Sequence, residues 1–212
     1  MRTLLIPVLW AAILPLSAQV AKEPAARTLK LAKCEVTCLE LAPKGDRILV
    51  GTDKGAELWD IESGKRVQAF PYAEDGSTAV YHASFNANGE FVVLIGHSGK
   101  REVWDVKSGK VDKTLQGHTW IPDPRAVKAM GLDMKNSTFD RFYQQLEARS
   151  GDITAKAVEK GGVEFRDATG DVVQKLTFPE NKDQHHRAPC LFTEAQFVTG
   201  TDDGRVLFYD RP

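Results

Sequence analysis

Short apolar runs broken by glycine- and proline-containing turns recur along most of this chain. In the first stretch Val36, Cys38 and Leu39 to Leu41 alternate with polar residues until Pro43-Lys44-Gly45-Asp46, a hairpin turn. The pattern predicts strands over 35–41, 47–51, 56–61 and 65–70. A second group is predicted over 80–85, 91–96, 101–106 and 110–115, with Asn86-Ala87-Asn88-Gly89 as its turn and glycine supplying the positive φ. Val92-Val93-Leu94-Ile95 is apolar at consecutive positions, as a strand covered on both faces should be. A third group, over 142–148, 153–158, 162–167 and 172–178, turns at Ser150-Gly151-Asp152. Its strands are the most polar, so it is expected to be the least stable. The fourth group offers 190–192, 196–200 and 205–209 and no fourth strand of its own. Thr28-Leu29-Lys30-Leu31 alternates as that missing strand would, and an open edge over 205–209 would be a liability.

The groups are copies of one sentence. Gly51-Thr52-Asp53-Lys54-Gly55-Ala56-Glu57-Leu58-Trp59-Asp60 returns as Gly96-His97-Ser98-Gly99-Lys100-Arg101-Glu102-Val103-Trp104-Asp105, with the Trp-Asp pairs 45 residues apart. Ser63-Gly64-Lys65 and Ser108-Gly109-Lys110 follow, and then Gly117-His118 after the second copy. Two looser copies put Arg166-Asp167 and Tyr209-Asp210 at the Trp-Asp place, with spacings of 62 and 43 residues. A period near 40–45 means that each unit must bury its faces against a neighbour.

A Gly-His before a unit and a Trp-Asp closing its third strand resemble the WD40 family of β-propellers. The resemblance spans about 28–210 and implies an all-β propeller of about four four-stranded blades. It leaves open a small closed ring, half of a dimeric ring or a partial propeller, with the residues 28–31 closing blade four in the same chain or in a second copy. Of these the two-fold pair, two half-discs making one eight-bladed ring, is favoured. The resemblance makes Trp59, Asp60, Trp104, Asp105, His118, Asp167, Tyr209 and Asp210 structural repeat positions. Only Gly117-His118 carries the family's Gly-His, so its hydrogen-bond relay is incomplete in most blades.

The N-terminus changes the picture. Arg2, an apolar run from Leu4 to Leu16 and Leu16-Ser17-Ala18 have the order of a secretory signal, read as 1–18, with 19–27 as a tether and the blades from 28 to 212. The run is too short for a comfortable membrane span, which needs about 20 apolar residues. Export to the periplasm or medium follows as an expectation, with no integral span after removal. With 28 Lys+Arg against 29 Asp+Glu, interleaved, charge gives no reason to expect nucleic acid. Three cysteines, Cys34, Cys38 and Cys190, read as buried free thiols; a Cys38–Cys190 bridge would need the first and last blades to be neighbours.

Two insertions stretch the repeat between one blade and the next. The longer, over 119–140, contains Trp120, Ile121 and Arg125; the other contains His185, His186 and Arg187. These six residues are the candidate partner-binding positions, since loops on a rigid scaffold carry recognition. His185-His186 is also the best metal-like pair, but zinc sites want three or four converging ligands and a solvated loop is the better reading. No nucleophile elbow, phosphate loop or paired carboxylates are found. Asp60 to Lys65 and Asp167 to Gly170 resemble the turn of quinoprotein propellers, yet Gln68, Lys113 and Val173 stand where that motif has docking tryptophans. No metal or cofactor is expected. The reading is an exported, non-enzymatic scaffold binding a protein or peptide, possible as a homodimer. The alternatives are a quinoprotein-like or lactonase-like propeller enzyme and a degenerate fragment of a longer propeller.

Overall fold

A computed structural model of the chain describes residues 25–74, 76–96, 100–115, 146–158, 162–177 and 189–211, with the backbone of 19–21. Two N-terminal strands, β1 (Gln19–Ala21) and β2 (Arg27–Lys30), precede the blades. Blade one is β3 (Val36–Leu41), β4 (Arg47–Thr52), β5 (Gly55–Asp60) and β6 (Arg66–Phe70). Blade two is β7 (His82–Phe85), β8 (Phe91–Ile95), β9 (Arg101–Asp105) and β10 (Lys110–Val111). Blade three is β11 (Glu147–Ser150), β12 (Ile153–Val158), β13 (Gly162–Arg166) and β14 (Val172–Thr177). Blade four is β15 (Cys190–Phe192), β16 (Gln196–Gly200) and β17 (Arg205–Asp210), completed by β2 of the same chain, Leu29 opposite Val206. Within every blade the strands run antiparallel in sequential order. These are four WD40-like blades.

The blades stand side by side in the order three, four, one, two. One apolar seam, with Phe165, Leu176, Phe197 and Tyr209, joins blade three to blade four. A second, with Leu29, Ile48, Val50, Val206 and Phe208, joins four to one. A third, with Leu49, Leu58, Phe70, Val92, Leu94 and Trp104, joins one to two. Among the described residues no such seam joins blade two to blade three, so the described blades form an open array, consistent with a partial propeller. A fourth cluster, Val93, Ile95 and Val103, lies on the side of blade two turned away from blade one.

The side of blade three turned away from blade four is different in kind. Glu147, Lys156, Glu164 and Lys175 are successive cross-strand partners, an alternating charge ladder across the sheet. Glu164 pairs with Lys175 at 2.8 Å and with Arg166 at 2.5 Å. These bonds hold the Glu164 carboxyl below the usual carboxylate range, the one from Lys175 contributing most. Like charges never face each other in this row, which keeps a solvated sheet surface stable.

Several expectations need correction. The fourth strand of blade two, expected over 110–115, stops at Val111, and 113–115 are helical. The first strand of blade two begins at His82 rather than residue 80, because the Val80 N–H bonds the Thr52 carbonyl of blade one at 2.9 Å. Residues 19–27 are more than a tether, since β1 lies parallel to β14, with Val20 opposite Lys175, and β2 begins at Arg27. The segment 28–31 pairs with β17 of the same chain, Leu29 opposite Val206. All three cysteines are buried thiols outside any disulfide. Blades one and four are indeed neighbours, but Cys38 points into the seam with blade two and Cys190 into the seam with blade three. Burial pushes both thiols up to about 12.

Candidate interaction face

The six candidate positions Trp120, Ile121, Arg125, His185, His186 and Arg187 lie outside the described residues, as does His118. The other repeat positions are described, and they are structural. Asp60 Oδ1 accepts the Ser63 N–H and hydroxyl at 2.7 and 2.6 Å, and Asp105 accepts the Ser108 N–H at 2.6 Å. Asp167 does the same with Thr169. Each carboxylate closes the turn between its blade's third and fourth strands, and the Ser or Thr hydrogen bonds hold its pKa below the usual carboxylate range. The turns that resemble the quinoprotein motif are therefore self-capped. Asp210 is exposed. Trp59 donates to Glu57 Oε2 at 3.0 Å, and Glu57 ion-pairs with Arg66 at 2.8 Å. Trp104 packs edge-on against Phe70, centroids 5.9 Å apart, but its buried Nε1 has no hydrogen-bond partner among the described residues.

The hydrogen-bond relay of the family is replaced blade by blade. In blade one Asp53 accepts the Glu35 N–H at 2.9 Å. In blade two the Tyr72 hydroxyl sits 3.0 Å from Glu74 Oε2 and 2.8 Å from the Lys100 carbonyl, and accepts the Gly96 N–H at 3.0 Å. A side chain at residue 96 would collide with Tyr72 and Glu74, so glycine is required there. Burial and the neighbouring Glu74 push the Tyr72 hydroxyl far up. In blade four Thr201 reaches Asp203 at 2.6 Å and Pro189 accepts the Gly200 N–H at 3.0 Å. These pins rim one face of the array and secure it.

The described clefts open on the opposite face, where the first and second strands of each blade turn. Gly45, at φ 71°, closes the blade-one hairpin by donating to the Ala42 carbonyl at 2.8 Å. Gly89, at φ 74°, does the same for blade two with Asn86 at 3.0 Å. Both require the left-handed region that glycine enters without strain. In blade four Thr193 holds its turn through the Gln196 N–H at 2.8 Å.

Pro43-Lys44 stands as a ridge with a cleft on each side. Toward blade four, a cleft of about 490 Å³ is walled by Leu41 and Pro43 on one side and Phe192 and Ala195 on the other. Lys44 and Glu194 supply opposite charges across it. Phe192 is braced edge-on by Phe197 at 5.3 Å and carries the Arg211 guanidinium 5.3 Å above its ring. Toward blade two, a smaller cleft of about 130 Å³ has Leu58, Phe85 and Val106 at its floor. Arg47 lines it, 3.9 Å from Asp46 and with a buried Nε lacking a hydrogen-bond partner among the described residues. On β3, just before the ridge, burial alone raises the Glu40 carboxyl to about 7. Together the clefts mix apolar side chains with at least as much polar lining, including Lys44, Asp46, Arg47, Asn88 and Glu194. Among the described residues no three His, Cys, Asp or Glu side chains converge as a metal site would require. Nor is any described helix long and apolar enough to cross a membrane.

Sequence reasoning placed recognition on the insertions because length marks them; the turn clefts leave no such mark, since each arises only when two blades meet.

No protein-family model and no curated protein matches the chain. Among solved structures it is similar to that of U3-55K, at 16% identity over 84% of this chain and 50% of that one, with a TM-score of 0.39. It is similar also to the crystal structure of RRP9 WD40 repeats, at 16% identity over 88% and 55%, with a TM-score of 0.38. The chain spans about half the length of each.

Proposed function

We propose that this protein is an exported, non-enzymatic scaffold that binds an extended protein or peptide segment across the Pro43-Lys44 ridge. The observation carrying this reading is the pair of adjoining clefts built from the turns of blades four, one and two. A strand-like segment crossing them would place apolar side chains on either side of the ridge and meet Lys44 and Glu194 at its polar positions. Rigid blades behind the turns mean that little ordering is required on binding. Export rests on the order Arg2, apolar run and Leu16-Ser17-Ala18.

A photo-crosslinking residue placed at Lys44, in the exporting cell, tests the site. A discrete adduct at Lys44 and none at Asp202, on the opposite face, is the expected result. Equal labelling at both positions, or none at either, contradicts it. N-terminal mass spectrometry of the natively made protein tests export separately: a chain beginning at Gln19 is expected, and an intact Met1 on a cytosolic product overturns it.

A further inference from the structure

The outer edge of blade three holds an occupant that does not belong to the blade. β1 adds to β14 as a fifth strand and runs parallel to it, whereas every neighbouring pair within the blades is antiparallel. It covers only Gln174 to Leu176. Val172 and Val173, at the start of the same strand, lie beyond its reach, and Val173 is 42% exposed. A strand edge with an exposed β-branched residue invites pairing with another chain.

The residues along this edge are complementary to themselves. β14 bulges at Val173, which has no partner on β13, and in an antiparallel two-fold pairing centred there that residue faces its own copy. Asp171 then lies opposite the second copy's Lys175, and Lys175 opposite the second copy's Asp171. No like charges meet in this register. Lys175 is among the residues that β1 covers, and it is ion-paired with Glu164 inside its own blade. Five residues, 22–26, separate β1 from β2 in sequence.

We propose that the outer edge of β14 is a self-association surface that takes the same edge of a second copy, and that β1 stands on it as a displaceable guard. This rests on neither the ridge clefts nor the partner proposed for them. Two-fold pairing through one self-complementary patch is the commonest way for identical chains to associate.

The test compares three proteins by light scattering: the chain from Gln19, the same chain with Val20→Pro and Ala21→Pro, and a chain starting at Ala25. Whichever of the two N–H groups faces β14, the double proline removes it. The chain from Gln19 should have the mass of one copy, and the other two should rise twofold. Adding Asp171→Lys to either should return it to one copy, and Asp171→Lys with Lys175→Asp should restore the pair. Single-copy mass with fast hydrogen exchange over 172–177 would overturn the proposal, because an open edge would then attract no second copy. Loss of the fold in both altered chains would also overturn it, since β1 would then be part of the blade. A dimer indifferent to Asp171→Lys would exclude this edge.

Discussion

Blade one and blade three carry the same strand plan but meet different surroundings. Blade one lies between two neighbours: Ile48 and Val50 enter the seam with blade four, Leu49 and Leu58 the seam with blade two. Among the described residues blade three meets a neighbouring blade on one side only. Ala155, Val163, Phe165 and Leu176 face blade four, and the residues between them form the charge ladder. The residue closing the third strand records the difference. Trp59 packs against the blade-four seam, Trp104 enters the seam with blade one and Tyr209 the seam with blade three. Each points to the preceding blade in the order three, four, one, two. Arg166 occupies the same place in blade three, where no described blade precedes it, and its guanidinium pairs with Glu164. Among the described blades, the arginine stands at the end of the array.

The largest expected effect comes from exchanging these environments. Tyr209→Arg would bury a charge in the seam between blades three and four and should cost about 3–5 kcal/mol, as breaking a buried pairing does. Denaturant titration should show the whole fold lost at low denaturant. Arg166→Trp should bring no gain in stability, because the indole would find no seam to fill. Leu49→Ala should cost about 2–5 kcal/mol by opening a cavity, against at most about 1 kcal/mol for Lys156→Glu, which sets like charges side by side on a solvated sheet. A cost for Lys156→Glu matching that of Leu49→Ala would erase the distinction between the two blades.

Glu40 sharpens the comparison through pH. Its folded pKa, about 7, lies above the ordinary 4.5, so between these pH values the folded state holds a proton that the unfolded chain has lost. Stability should fall as pH rises from about 4.5 to 7, by up to about 3 kcal/mol. Glu40→Gln should abolish that slope and stabilise the protein at pH 8. The turn carboxylates Asp60, Asp105 and Asp167 act in the opposite sense, their contribution disappearing as pH falls below 3.8. The smallest effect is expected from Trp104→Phe. It removes a buried N–H that has no partner among the described residues while exchanging the indole for a smaller phenyl, so relief and lost packing should nearly offset and the melting temperature should hardly move.

Much of the fold was legible because strand alternation and the Trp-Asp copies are local signals. Blade one was read to within a residue or so at each end, and Leu29 was read as the strand that completes blade four. The order of the blades was not legible. It depends on which face of each strand meets which neighbour, and a one-residue shift in register would reverse that. Arg166 looked like simple decay of the repeat, since its meaning appears only once blade three is known to stand at an end. The same limit hid the turn clefts: Lys44 and Glu194 are far apart in sequence and share a wall only after blades four and one pack. The insertion at 119–140 advertises itself by length alone, and its recognition role stays a sequence expectation.

The end-of-array claim is tested most directly by thiol labelling at one repeat position in two blades. Cys34, Cys38 and Cys190 are buried and serve as internal controls. In the native protein, Arg166→Cys should react with a thiol reagent as fast as a free model thiol. Tyr209→Cys should react only as the protein unfolds, like the three native cysteines. Protection of the thiol at position 166 to the same degree as at 209 would mean that another blade covers that face, and the open array would be wrong.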